Sequence, residues 1–245
     1  MKVCLDSQIF EILIVKKGEY LRKAQVLRGE VFFGKTLLDQ DAFDKACEHL
    51  VVIDKKTQQV VGTYRLLLRS QAEKTTGFYS ETEFNLKNIK NNCRGELLEM
   101  GRACVDARYR KFPILNFLWK AIISYMVDNK VKFIFGCSSI EEPQPAKVSK
   151  IFKFLKDNAF SPPRFRVAPL KNKRYPYFKE PVEYSRKEAL SLVPSLVKGY
   201  LTMGAVACGE PAWDKEFDTA DFFMMVETEK MNASFLRKFF YEKSI

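Results

Sequence analysis

The stretch Glu96-Leu97-Leu98-Glu99-Met100-Gly101-Arg102-Ala103-Cys104-Val105, running on into Asp106-Ala107-Arg108-Tyr109-Arg110-Lys111-Phe112-Pro113-Ile114, decides how this chain is read. It is an apolar, strand-like run that carries one ionisable pair, Glu99 and Arg102; a basic loop follows, and an apolar helical pattern begins near Pro113. Side chains along a strand alternate with period two, so residues three apart face opposite ways unless an extra residue is inserted. Gly101 lies between the two charges, and a glycine inside a strand often marks a bulge or a close backbone approach. The strand is therefore expected to bulge near Gly101 and to turn both charges into one cleft. A buried ion pair that locks strand register is the alternative that the spacing leaves open.

Upstream, Gln59 to Leu68 reads as a strand with Val61, Thr63, Arg65 and Leu67 on one face and Gly62, Tyr64 and Leu66 on the other. A turn at Lys55-Lys56-Thr57 joins it to an antiparallel strand, Leu50 to Asp54. Arg65 in mid-strand needs an anionic partner to be buried, and Asp41 with Asp44, or Glu99, would supply one. Asp39, Asp41 and Asp44 stand in a polar segment with Phe43; they read either as a solvated loop capping a helix or as carboxylates that hold a cation or an amine. The one histidine, His49, precedes the next apolar run. Further back, Ile9 to Val15 has strand length and β-branched content, and Glu19 to Phe33 suits a helix that carries Arg22 and Arg28 and ends near Gly34.

Downstream, Ile114 to Met126 is apolar nearly all round and is expected as a buried helix. Val131 to Gly136 reads as a strand whose end passes through Cys137-Ser138-Ser139 into a turn, and Ala146 to Asn158 as a helix. Ser161 to Tyr184, rich in proline, arginine and aromatics, reads as a long surface connection, a lid or docking loop. A helix from near Pro194 to Met203, a strand from Thr219 to Val226 and a basic-edged helix from Asn232 to Tyr241 complete the chain. No domain boundary shows, so a single domain is expected, with a core over about 8–160 and a C-terminal extension over about 161–245.

Hydrophobic residues make up 47% of the 245 residues and charged residues 29%, a globular composition that excludes a disordered chain. The formal net charge of +11 calls for an anionic partner, and nucleic acid, an anionic membrane surface or an acidic protein would each serve. No apolar run approaches the roughly 20 residues of a bilayer span. The six cysteines are scattered, with no pair at metal-knuckle or redox spacing, and no secretory leader is evident, so no metal site and reduced thiols in a cytoplasmic protein are expected.

Five ordered segments then carry a resemblance. They are His49-Leu50-Val51-Val52, Val60 to Leu67, Phe78-Tyr79-Ser80-Glu81-Thr82-Glu83-Phe84, Glu99 to Val105, and Gly199-Tyr200-Leu201-Thr202-Met203-Gly204-Ala205. Together, over about Leu21 to Phe223, they resemble the bacterial ornithine N-acyltransferase family, often labelled hemolysins, and its relatives the long-chain N-acyl amino acid synthases and acyl-homoserine lactone synthases. The resemblance implies an α/β, GNAT-like fold: a mixed central sheet flanked by helices, with a C-terminal helical and strand extension. It implies an amide-forming N-acyltransferase that moves a fatty, 3-hydroxy acyl group from acyl carrier protein to the α-amino group of ornithine; another amino acid such as glycine is the alternative acceptor. No bound cofactor is implied, since the phosphopantetheine-linked donor is a substrate.

Matched residue by residue, the motifs of the autoinducer-synthase relatives fall on Arg28, Asp41 with Asp44, Arg65, and Glu99 with Arg102. Glu99 is the implied base and Arg102 its orienting partner or the acceptor's carboxylate ligand; Arg28, Asp41, Asp44 and Arg65 form an acceptor-binding or scaffold set. Backbone N–H groups of Cys104 and Val105 would polarise the thioester carbonyl. The loop departs from the coenzyme A pattern, because Arg108-Tyr109-Arg110-Lys111-Phe112-Pro113 has no glycine for a phosphate cradle. Arg108, Arg110 and Lys111 would instead meet a phosphopantetheine arm and an acidic carrier protein, with peripheral contact at the inner face of an anionic membrane left open. No nucleic-acid-binding module and no pore-forming segment supports the basic DNA-binding or membrane-lytic readings.

Overall fold

The first helix shows how closely local chemistry sets the boundaries. The computed structural model describes residues 2–177 and 183–240, and in it α1 runs over Glu19–Phe33 and stops at Gly34, whose left-handed backbone donates its N–H to the Glu30 carbonyl. Before it come the strands β1 (Lys2–Asp6) and β2 (Phe10–Val15). After it come β3 (Glu48–Asp54), β4 (Gln59–Leu68), α2 (Arg69–Ala72), β5 (Phe84–Asn85), α3 (Lys87–Asn92) and β6 (Glu96–Val105). Then follow α4 (Ile114–Asp128), β7 (Val131–Ile140), α5 (Pro145–Asn158), β8 (Ala168–Pro169), α6 (Arg186–Leu192) and α7 (Ser195–Met203). The last elements are β9 (Val206–Ala207), β10 (Ala212–Asp214), β11 (Thr219–Glu227) and α8 (Ala233–Phe240).

Two compact units interleave along the chain: one holds residues 2–78, 98–131 and the end of α8, the other Tyr79–Leu97 and the described residues of Lys132–Arg237. In the first unit β1, β2, β3, β4 and β6 pair antiparallel in that order. One sheet face buries Leu13, Val51, Ile53 and Val60 with Ala24 and Leu27 of α1. On the other face Tyr64 of β4 meets Trp119 of α4 edge-on at 6.3 Å, and Phe10 of β2 meets Phe117 at 5.8 Å. This is the two-faced strand expected from the alternation of β4. Gly62 lets α4 in, because a Cβ there would stand 2.6 Å from Ile114 Cγ2.

In the second unit β11 pairs antiparallel with β7 and β10, β9 also pairs with β11, and β5 pairs with β8. Two expectations are corrected here. Cys137, Ser138 and Ser139 do not leave the strand for a turn: they stand opposite Phe223, Phe222 and Asp221, and β7 continues to Ile140. The partner strand, distant in sequence, extends β7 beyond the point where its apolar run ends. Nor is 161–184 a lid over its described part. Phe165, Val167 and Tyr175 are buried, Val167 and Arg174 bridge to Gly209 and Ala212, and Ala168–Pro169 pairs with Phe84–Asn85. Irregular backbone hides its packing from any periodicity; residues 178–182 lie outside the described chain. No helix among the described residues is long and apolar enough to cross a membrane.

The approach of 37–39 to α1 is a tight one. A Cβ on Gly29 would lie 2.1 Å from the Leu37 carbonyl oxygen, and Asp39 donates its N–H to the Gln25 carbonyl at 3.1 Å. Gly29→Ala is therefore expected to lower stability by about 1–3 kcal/mol despite the better helix propensity of alanine, because backbone must move. Urea unfolding followed by circular dichroism measures this.

Candidate active site

The register of β4 with β6 contains the bulge. Thr63 stands opposite Cys104 and Arg65 opposite Gly101, so Arg102 and Ala103 together face the single residue Tyr64. The left-handed residue is Arg102, at φ 51°, and not the neighbouring glycine. Gly101 has open space where a Cβ would be, so no close approach demands it. A non-glycine residue in that conformation costs about 1–2 kcal/mol, which the contacts of its side chain must offset. Glu99 lies opposite Leu67, two residues beyond Arg65, and so shares the face of Arg65. Arg102 reaches the aspartate that Arg65 binds, so the inserted residue has brought both charges of the opening stretch to one side.

That side holds a network of three arginines and three aspartates. Arg28, wholly buried, donates from Nε to Asp39 Oδ2 at 2.6 Å and from Nη1 and Nη2 to the two Asp44 oxygens at 3.1 Å each; Nη2 also reaches the Asp39 carbonyl. Arg65 donates to Asp41 at 2.6 Å and to Asp44 at 3.1 Å. Arg102 stands 3.3 Å from Asp39 and 3.3 Å from Asp41. Asp41 has a second job: its other oxygen accepts the N–H groups of Phe43 and Asp44, capping the 3₁₀ turn Ala42–Lys45. The cap expected of this segment is present at Asp41, but Asp39 and Asp44 are buried and not solvated, and the cations they meet are the guanidinium groups of Arg28 and Arg65. Exposure grades outward, from 0% at the Arg28 side chain and 2% at Asp44 to 12% at Arg102 and 24% at Asp41.

The electrostatics follow from that burial. Desolvation alone would raise the Asp44 carboxyl, but the charge and hydrogen bonds of Arg28, with Gln25 and Arg65, overcome it and hold the group at about 2. Arg65 is depressed by burial and raised further by Asp41, so it stays charged. Burial lowers His49 below its ordinary value, opposed by the bond to Asp44; its Nε2 lies 3.1 Å from the Asp44 carbonyl, and its Nδ1 is buried without a hydrogen-bond partner. A neutral imidazole donating to that carbonyl acts as a prop and not as a base. Cys47 sits in the field of Arg65, Glu99, Asp44 and Asp41, and its thiol is pushed up to about 12, chiefly by burial. Cys104 is raised likewise to about 12, as a packed thiol would be and a nucleophile would not.

The two backbone donors proposed for the carbonyl are told apart by the ladder. Asp106 N–H bonds to the Val61 carbonyl, so Asp106 and Val61 form a hydrogen-bonded pair, and antiparallel alternation makes Thr63 with Cys104 the next. Cys104 N–H therefore belongs to β4, while Val105 N–H points to the other edge of β6. The loop beyond is clamped by an aromatic cluster. Phe10 packs on Tyr109 and Phe112 at 6.2 and 5.8 Å, and Tyr109 donates to Asp54 at 2.6 Å. Arg108 is mostly exposed but paired to Asp106 at 2.6 Å; Arg110 and Lys111 lie exposed just ahead of α4.

Every charged residue of the implied acceptor set thus shares one face, and the donor set lies in the adjoining loop. Asp39 is the member absent from the implied acceptor set: it stands beside Asp41 in the same acidic segment, but only the seating of the chain on Gly29 reveals that it is buried against Arg28. A family profile described as an acetyltransferase (GNAT) domain matches residues 23–120, which span the whole network. The L-ornithine N(alpha)-acyltransferase of Brucella abortus (strain 2308) is 32% identical over 244 residues, 92% of this chain and 87% of the relative. Among solved structures, FeeM, an N-acyl amino acid synthase from uncultured soil microbes, aligns with a TM-score of 0.55 at 7% identity over 90% of this chain and 92% of that one. The AHL synthase LasI aligns with a TM-score of 0.50 at 12% identity over 97% and 96%. At such identities the structural likenesses bear on the fold alone, and the α/β, GNAT-like architecture expected from the motifs is borne out.

The network has a pH signature. Asp44 and His49 both have folded values below their unfolded ones, so the unfolded chain takes up protons that the folded chain refuses. Stability is expected to hold above about pH 6.5, to fall first below that value through His49, and to fall again below about 3.8 through Asp44. Urea midpoints across pH check this, and His49→Gln should remove the upper step. Arg28→Met, which strands two buried carboxylates, should cost about 3–5 kcal/mol.

Proposed function

Because the chain belongs to the L-ornithine N(alpha)-acyltransferase family, and is on that ground an acyltransferase, we propose that it transfers a fatty acyl group from acyl carrier protein to the α-amino group of ornithine. The observation that carries the reading is the placement of Glu99 on the face of Arg65, with a bulge after it that turns Arg102 to the same side and points the Val105 N–H away from β4. The acceptor amine must be neutral to attack a thioester. Glu99 takes its proton, directly or through a water. The new C–N bond forms as the carbonyl π bond opens, and Val105 N–H stabilises the oxyanion. Collapse breaks the C–S bond, and the pantetheine thiolate leaves to be protonated. Cys104 forms no acyl intermediate.

Arg102 acts as a positioning residue: it is ion-paired to Asp39 and Asp41, which supports an orienting role over capture of the acceptor carboxylate. Arg28 and Asp44 are sealed and serve as scaffold, while Asp41, the most exposed of the set, is the one best able to meet an acceptor. Arg110 and Lys111, beside the α4 N-terminus and in a chain of net charge +11, favour an acidic carrier protein carrying a phosphopantetheine arm over coenzyme A. The resemblance of the motifs implies a 3-hydroxy acyl chain and a lyso-ornithine lipid as product. The same charge suits peripheral contact with an anionic membrane.

Glu99→Gln is expected to lower kcat by about 10²–10⁴ with an unchanged unfolding midpoint; turnover at the wild-type level would remove Glu99 from the role of base. Arg110→Glu with Lys111→Glu is expected to lower kcat/KM for acyl carrier protein about tenfold, with a weaker dependence on salt. Mass spectrometry of lipids from cells that express the chain reads the head group and the acyl chain, and the absence of any N-acyl amino acid would overturn the proposal.

A further inference from the structure

The second unit holds a buried cluster that acyl transfer does not use. Glu83 lies in the segment Tyr79 to Phe84, Cys137 in the middle of β7, and Asp221 opposite Ser139 on β11. One donor atom from each of the three lies within 4.8 Å of the others. Glu83 is 0% exposed and Asp221 3% exposed. Both carboxylate oxygens of Glu83 are buried with no hydrogen-bond partner. Thr219 Oγ1 donates to Asp221 at 2.6 Å, Tyr79 donates to Asp214 at 3.1 Å, and Cys137 lies 3.4 Å from Ser80 Oγ.

Two carboxylates side by side in a dry interior carry a charge that burial makes very costly unless a cation or a proton meets it. We propose that Glu83, Cys137 and Asp221 bind a divalent metal ion of borderline softness, zinc by preference. The donor set argues for this, since a thiolate with two carboxylates suits zinc, whereas magnesium and calcium take oxygen ligands alone. The size is compatible as well: tetrahedral bonds of about 2.0–2.3 Å set ligand atoms roughly 3.3–3.8 Å apart, inside the 4.8 Å that bounds the cluster. Three protein ligands leave a fourth position for water. The ion would tie β7 and β11 to the turn that follows Tyr79, and so give the Phe78 to Phe84 motif a structural task. A proton is the competing occupant: burial, then the charges of Asp221 and Asp214, push Glu83 up to about 8, against the opposing pull of the Cys137 thiol and the Lys173 charge.

The test uses the full chain purified without chelator. Elemental analysis is expected to find about one zinc per chain, lost in Glu83→Gln and in Cys137→Ser. After removal of the metal, added ZnCl₂ should raise Tm. Substitution with cobalt should produce a sulfur-to-metal charge-transfer band that Cys137→Ser lacks. Cys137 is only half-buried, so that variant keeps the test decisive if Glu83→Gln fails to fold. No retained metal, no response of Tm to zinc and no cobalt band in the wild-type chain would overturn the site and leave a shared proton. A rise in the Tm of the metal-free chain with L-ornithine, abolished in Glu83→Gln, would overturn it in favour of an alkylammonium ligand. The zinc outcomes stand apart from the acyl-transfer reading, and loss of the ornithine response in Glu83→Gln tells this cluster from the acceptor site of that reading.

Discussion

The first unit is organised by the charge network around Arg28 and Asp44. Three guanidinium groups and three carboxylates interlock, and none is satisfied by a single partner: Asp44 answers both Arg28 and Arg65, Asp41 both Arg65 and Arg102, and Asp39 both Arg28 and Arg102. Each charge would be prohibitively unfavourable in that interior alone, so the set is acquired or lost together. Its geometric effect is to fix the segment 39–44, which has little regular structure of its own, against α1, β4 and β6. Gly29 admits that segment, and the Asp41 cap turns it.

What the network does for chemistry is to stiffen the strand that carries Glu99. The left-handed backbone of Arg102 is unfavourable by itself, and two aspartates hold its side chain in the place that this backbone provides. On the opposite face of the sheet aromatic packing on Phe10 holds the loop 106–113. Charge on one face and aromatic packing on the other thus hold the two halves of the stretch from Glu96 to Ile114.

Much of this was legible from residues alone because it is local. The α1 helix and its stop at Gly34 follow from periodicity and a glycine cap; the two faces of β4 follow from alternation, and the need of Arg65 for a carboxylate follows from its position in an apolar run. The bulge was legible as a need, since Glu99 and Arg102 could share a face only by an inserted residue, but Gly101 drew attention away from Arg102 as the residue that adopts the strained backbone. The rest is set by partners distant in sequence. Asp39 looks like its acidic neighbours until the chain is seated on α1, Cys137 remains in strand because β11 pairs with it, and the residues after Ser161 pack by edge bridges that leave no period. No cysteine spacing hinted at the cluster of Glu83, Cys137 and Asp221, because its members come from three separate stretches.

The bulge has one more consequence, and it is a matter of parity. Backbone donors in an antiparallel strand alternate between its two edges, so which amide of β6 points away from β4 depends on whether the count of residues from Glu99 is odd or even. The doubled position at Arg102 and Ala103 changes that count once, between the carboxylate and Val105. A chain one residue shorter there would turn Arg102 to the face of Tyr64, away from Asp39 and Asp41, and would exchange the edges to which the amides beyond it point. Length is therefore more tightly constrained than identity at this point: substitutions within the bulge alter strength, whereas an insertion or deletion of a single residue changes the face and the edge that everything beyond it presents.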